Sequence, residues 1–164
     1  MVGTDPPLGR SGPASTGWVP RVFVGKHDRQ LDDKGRLAIP AEYVKQFDGP
    51  EGDRRLVLTP GKSGCIWLIT PKYWEEKFEE IARQYSSAIP DEFYHFCQER
   101  DVDKAGRLLV DEKARLLANL PDPAAGTPVQ VVIAGSGSYI QIWRRDVYES
   151  RASSPGAFAQ AVRP

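Results

Sequence analysis

From Arg21 onward, short apolar runs alternate with polar ones, and their period switches between two and about 3.6 residues along the chain. VFVG is followed by a charged stretch and then by RLAI, in which Leu37 and Ile39 alternate with Arg36 and Ala38 in a strand pattern. Gly35 supplies the positive φ that a tight connection often needs. Residues 22–39 are therefore predicted to form a hairpin with Asp33, Lys34 and Gly35 at its tip and Arg36 just beyond it. Pro40 suits the first turn of a short helix over AEYVKQF, which Gly49–Pro50 ends. RLVLT and CIWLIT, joined by the turn PGKSG, predict a second hairpin over residues 55–69. PKYWEEKFEEIARQY then places Tyr73, Trp74, Phe78 and Ile81 near helical spacing, predicting an amphipathic helix, and DEFYHFCQ after Pro90 begins another.

The second half runs through the same order. Residues 99–110 hold a turn and a strand, DEKARLLANL reads as a short helix with Asp111 as N-cap, and PDP with Gly126 ends it. VQVVIAG and SYIQIW predict a hairpin around Ser136–Gly137, and YES at residues 148–150 echoes WEE at 74–76. The densest echo joins LDDKGRLAIP, residues 31–40, to VDKAGRLLVD, residues 102–111, where Asp103 precedes Arg107 at the spacing by which Asp32 precedes Arg36. A strand, turn, strand, short helix and hairpin unit is thus written twice. One copy of about 45 residues is small for independent stability, so each copy is expected to complete the core of the other. The expected class is α+β and β-rich, with two units in a pseudo-two-fold arrangement. The segments are 1–21 (leader), 22–70 (first unit), 71–98 (helical connection), 99–145 (second unit) and 146–164 (C-terminal helix and tail).

Composition narrows the function classes. Residues 1–20 are rich in Gly, Pro, Ser and Thr and poor in large apolar groups, which predicts a disordered leader. No segment approaches the roughly 18 to 20 apolar residues of a membrane helix, and no signal-peptide pattern opens the chain, so cytoplasm is the default expectation. Lysine and arginine together number 22, as do aspartate and glutamate, and the formal net charge is zero. DNA binding therefore cannot rest on overall basicity and would need local charge or many copies.

Catalytic and metal chemistry finds little support. Cys65 and Cys97 lack paired or clustered spacing and are expected to be reduced and packed. GKSG at residues 61–64 resembles the end of a phosphate-binding loop, but Leu56 stands where the required glycine would be and a strand follows in place of a helix. His27 and His95 lie in different halves, and Glu75, Glu76, Glu79 and Glu80 read as a solvated helix face alongside Lys77 and Arg83. Trp67, Trp74 and Trp143 accompany strand and helix patterns that packing explains. No cofactor, metal or enzymatic activity is expected.

The repeated turn allows two compatible readings. Asp32–Arg36 and Asp103–Arg107 fit salt bridges across turn tips, although exposed pairs contribute only about 0 to 1 kcal/mol, a weak reason to write one twice. The same turns also fit a DNA groove, each arginine forking onto a guanine edge or phosphates while the aspartate orients it.

LDDKGRLAIP, GCIWLIT after its turn, VDKAGRL and IQIW, in that order across roughly residues 22–150, resemble the MraZ family of bacterial regulators built from two SpoVT/AbrB-type domains. The resemblance implies a swapped-hairpin fold with interleaved strands, assembly of several chains into a ring, and binding to short direct repeats upstream of the division and cell wall gene cluster, usually as a repressor. It implies double-stranded DNA as partner, a cytoplasmic and nucleoid-associated location, and no membrane partner. It places the DNA-contacting arginine on Arg36 with Lys34 beside it, and the matching pair on Arg107 and Lys104; Asp32, Gly35, Asp103 and Gly106 shape the turns. The family often has proline four residues after both arginines, whereas here Pro40 follows the first and Asp111 the second. An acid near the second tip would repel phosphate, which ranks Arg36 ahead of Arg107. The family usually begins near Met-Phe-x-Gly, matched here by Val22-Phe23-Val24-Gly25, so residues 1–21 are expected to be an added or misassigned leader. Other expectations to be weighed are an AbrB-like antitoxin and a protein-interaction ring that does not bind DNA.

Overall fold

In the computed structural model, residues 22–47, 54–83 and 91–151 are described; side chains of Phe78 and of residues 81–83 are not. The expected leader, the Gly49–Pro50 helix stop and the tail beyond Arg151 lie outside the described residues. The elements run β1 Lys26–Gln30, β2 Arg36–Ala38, α1 Ala41–Phe47, β3 Arg55–Pro60, β4 Ile66–Ile69, α2 Pro71–Arg83, α3 Asp91–His95, β5 Gln98–Asp101, β6 Arg107–Leu109, α4 Glu112–Leu117, β7 Gln130–Gly135, β8 Ile140–Arg144 and α5 Arg145–Arg151. The α+β, β-rich class is as expected.

Six strands form an antiparallel sheet in the order β1-β7-β8-β4-β3-β5, and β2 and β6 form a separate two-stranded ribbon. Both faces of the sheet are covered, which explains the unbroken apolar runs of its inner strands. Leu56, Leu58, Ile66, Leu68, Val131, Ile133, Ile140 and Ile142 face one core together with Leu37 and Leu108 of the ribbon. Val57, Cys65, Trp67, Ile69, Val132, Ala134 and Trp143, on the alternate positions, face a second core with Phe93 and, from α2 and α5, Tyr73, Trp74, Val147 and Tyr148. The edge strands β1 and β5 read KHDRQ and QERD, charged sequences that discourage further strand addition.

The hairpins β3–β4 and β7–β8 form as predicted. Gly61 N–H donates to Cys65 O across the first, so GKSG is a strand connection. The hairpin predicted over residues 22–39 does not form a ladder. Its turn closes, but β1 pairs with β7 and β2 with β6. A local ladder would have set the apolar side of β2 against a charged partner. Pairing with β6 instead puts Leu37 opposite Leu108, both fully buried. Since β5 likewise pairs with β3, the two halves exchange strands.

The N-cap read at Asp111 holds in detail. Asp111 caps α4 by accepting from Ala114 N–H at 2.9 Å. Thr70 caps α2 through both its carbonyl and its hydroxyl, with Pro71 at the first helical position, where a missing N–H costs nothing. Pro40 sits one residue earlier than expected, just outside α1, where its carbonyl accepts from Tyr43 and Val44 N–H. Phe23 is buried against Tyr43 and Phe47, its backbone bridged to Gly137. Both cysteine thiols are free, and burial pushes each up to about 12.

Candidate nucleic-acid interface

The two charged turns are built alike. In the first, Asp32 Oδ1 accepts from the backbone N–H of Lys34 at 3.0 Å and of Arg36 at 2.8 Å, while Oδ2 accepts from Arg36 Nε at 2.6 Å. In the second, Asp103 Oδ1 accepts from Ala105 and Arg107 N–H, both at 2.9 Å, and Oδ2 from Arg107 Nε at 3.0 Å. Gly35 and Gly106 take φ of +82° and +80°, and their N–H groups close the turns onto Asp32 O and Asp103 O. Each aspartate thus organises the turn and grips its arginine through Nε. The two Nη atoms of each guanidinium, the fork that reads guanine or phosphate, have no partner among the described residues.

Both carboxyls are held below the usual aspartate range. For Asp103 the chief cause is the Arg107 backbone N–H, followed, against some desolvation, by the guanidinium; for Asp32 partial burial opposes the shift, but the Arg36 N–H and guanidinium and the Lys34 N–H outweigh it. A group whose folded pKa is depressed stabilises the fold fully above its unfolded value, near 3.9, and loses that contribution as pH falls through the folded value. The turns should therefore be unchanged from neutral pH down to about 4 and loosen only below it. Amide resonances of Lys34 and Ala105 followed by NMR should titrate in that acid window; movement of those amides between pH 5 and 7 would contradict it.

The ribbon sets one turn at each of its ends and their arginines on one face. Arg36 lies opposite Leu109, Leu37 opposite Leu108 and Ala38 opposite Arg107. Opposed residues share a face, so Leu37 and Leu108 point inward, and Arg36, Ala38, Arg107 and Leu109 point outward. The two arginines are diagonal neighbours, about 7 to 8 Å apart at Cα. A two-stranded ribbon of this kind fits the major groove.

The antiparallel register also corrects the ranking of the two tips. Val110 N–H donates to Gly35 O, and Ile39 N–H to Gly106 O, so each ribbon strand ends beside the other half's turn. Asp111 therefore stands beside the first tip, and Pro40 beside the second. The carboxylate of Asp111 is occupied by the α4 cap and by Arg100; burial disfavours its charge, yet the Ala114 N–H and Arg100 hold it ionised. Lys34 and Lys104 are not equivalent either. Lys34 is the third turn residue and matches Ala105, whereas Lys104 is the second and matches Asp33. Each tip carries one lysine and one arginine, but the second lacks a counterpart of the Asp32–Asp33 acid pair, so its net charge is one unit more positive. Neither arginine is favoured by local acids in the way the linear sequence implied.

The turns differ in packing too. A Cβ on Gly35 would sit 2.9 Å from Val110 O and 3.1 Å from Arg115 Nη1, while on Gly106 the nearest atom is Ile39 O at 3.9 Å. Gly106→Ala should cost about 1 to 2 kcal/mol for the left-handed backbone alone. Gly35→Ala should cost clearly more, because a backbone carbonyl must also move. Equal melting temperatures for the two variants would contradict this packing.

Comparison with known proteins agrees with the architecture. The family model for MraZ protein, whose description is antitoxin-like, matches residues 22–97. Proteins named transcriptional regulator MraZ from Burkholderia cenocepacia and Burkholderia lata are each 28% identical over 148 residues, covering 86% of this chain and 94% of theirs. One from Burkholderia vietnamiensis is similar to the same extent. The chain is thus similar to the MraZ family in its first half by the family model and over most of its length by these relatives. These relatives are transcriptional regulators by name. Other candidates do not assemble into a site. His27 bonds Glu42 at 3.0 Å, and Glu75, Glu76, Glu79 and Glu80 are exposed. Among the described residues no cluster of His, Cys, Asp or Glu could hold a metal, and no helix is long and apolar enough to cross a membrane.

Proposed function

We propose that this protein is a sequence-specific DNA-binding transcriptional regulator, and not an enzyme. The observation that carries the reading is the outward face of the β2–β6 ribbon. Arg36 and Arg107 stand there as diagonal neighbours, each held through Nε by its own aspartate with its fork free among the described residues. Lys34 and Lys104, both exposed, are phosphate contacts at the rim. Asp32, Gly35, Asp103 and Gly106 act by shaping the turns.

In this reading residues 22–70 and 99–145 are two copies of an AbrB-like unit joined by 71–98, and several chains form a ring. A head-to-tail ring presents every ribbon in the same sense and suits direct repeats, where a two-fold dimer would suit a palindrome. Many weak ribbons acting together also give affinity to a chain of zero net charge. The expected target is a set of short direct repeats upstream of the division and cell wall gene cluster, with repression as the outcome, in the cytoplasm at the nucleoid. The antitoxin-like description of the matching family favours a second reading, in which the same turns bind DNA while another part of the chain holds a toxin.

The test is a mobility-shift titration with the DNA immediately upstream of the protein's own gene, repeated at low and at roughly physiological salt. Binding should weaken steeply, by about tenfold or more if several phosphates are contacted. No binding even at low salt would replace this reading with a protein-interaction ring.

A further inference from the structure

The outward face of the ribbon holds two apolar residues between its arginines. Leu109 is directly opposite Arg36, and Ala38 directly opposite Arg107. Leu109 is 43% exposed and belongs to neither core, and Ala38 is exposed as well. Neither packs the fold. In a phosphate-binding surface an exposed leucine between two guanidiniums would lose hydration around the charges and gain nothing. In the major groove the same position has a chemical partner. Arginine forks occupy guanine O6 and N7, and the only apolar group that groove displays at its base edges is the C5-methyl of thymine.

We propose that Leu109, with a smaller share from Ala38, reads thymine methyls next to the guanines read by Arg36 and Arg107. This rests on the DNA-binding reading and adds the second half of a base code, a guanine and a neighbouring thymine for each arginine. The two sides are unequal. The isobutyl group of Leu109 reaches further into the groove than the methyl of Ala38, so methyl recognition is concentrated beside Arg36. That asymmetry gives the ribbon a direction even though its turns are alike, as a reader of direct repeats requires.

The experiment compares the upstream duplex with the same duplex in which every thymine is replaced by deoxyuridine, which removes only the methyls. The full-length protein should bind the uracil duplex about fourfold more weakly for each methyl contacted. Leu109→Ala should bind the thymine duplex more weakly by a similar factor and lose most of the discrimination. Leu109→Met, which keeps an apolar reach, should retain it. Equal binding of both duplexes by the unaltered protein would overturn the proposal, as would full discrimination by Leu109→Ala or a change in that variant's oligomeric size with discrimination intact. Failure of the unaltered protein to bind the thymine duplex at all would sink the DNA-binding reading itself, and this inference with it.

Discussion

Arg36→Ala and Arg107→Ala should each lower affinity for the specific upstream DNA by about tenfold or more while leaving the protein folded. A bidentate arginine on guanine discriminates by about 1 to 3 kcal/mol, and every chain in an assembly loses it at once. The cost to the fold is small, because each ion pair is partly exposed and worth about 0 to 1 kcal/mol. The aspartate also keeps its backbone hydrogen bonds when the guanidinium is gone. Lysine should not rescue either position, since an ammonium cannot hold the aspartate and fork onto a base together. The two alanine variants should be of similar severity, because the register sets the arginines on one face and places Asp111 beside Arg36. A titration in which one variant binds operator DNA as tightly as the unaltered protein would remove that arginine from the interface. A melting temperature lowered by about ten degrees or more would show that the pair is structural.

Much of this site is legible in the amino-acid sequence, and the part that is not has a specific physical cause. The aspartate-to-arginine spacing, the glycine before each arginine, the Asp111 cap and the hairpins β3–β4 and β7–β8 are all decided by residues close to one another along the chain. Partner choice between strands is not local. The segment from Val22 to Ile39 has every mark of a hairpin, yet its strands separate because β2 gains more from burying Leu37 against Leu108 than from lying beside a charged strand. The misplacement of Asp111 has the same origin. Four residues after Arg107 along the chain is the far end of an antiparallel ribbon in space, next to the other turn. Leu109 does not stand out as a candidate because a leucine beside Leu108 and Val110 reads as core, and only the pairing with β2 shows that it faces outward.

Leu37→Ala should be among the most damaging substitutions in the chain, lowering stability by about 2 to 5 kcal/mol, although it touches neither turn. Leu37 and Leu108 are both fully buried, directly opposite, and together form the inner side of a ribbon whose strands are only three residues long. Among the described residues no other strand pairs with the ribbon, so its attachment to the six-stranded sheet depends on these two side chains, with Ile39 and Val110 at its ends. A loss of that size is a large fraction of the roughly 5 to 15 kcal/mol that holds a typical domain together. Leu108→Ala should cost a similar amount, and the double variant less than the sum, because the two truncations open one shared cavity. Thermal or urea unfolding of the unaltered protein, the two single variants and the double variant measures both terms. Strict additivity would mean that the leucines do not pack on each other, and a Leu37→Ala protein as stable as the original would mean that β2 is not held in the core. DNA binding by the single variants should fall only as far as the folded fraction falls. That separates the inner face, which holds the ribbon in place, from the outer face, which is proposed to meet the groove.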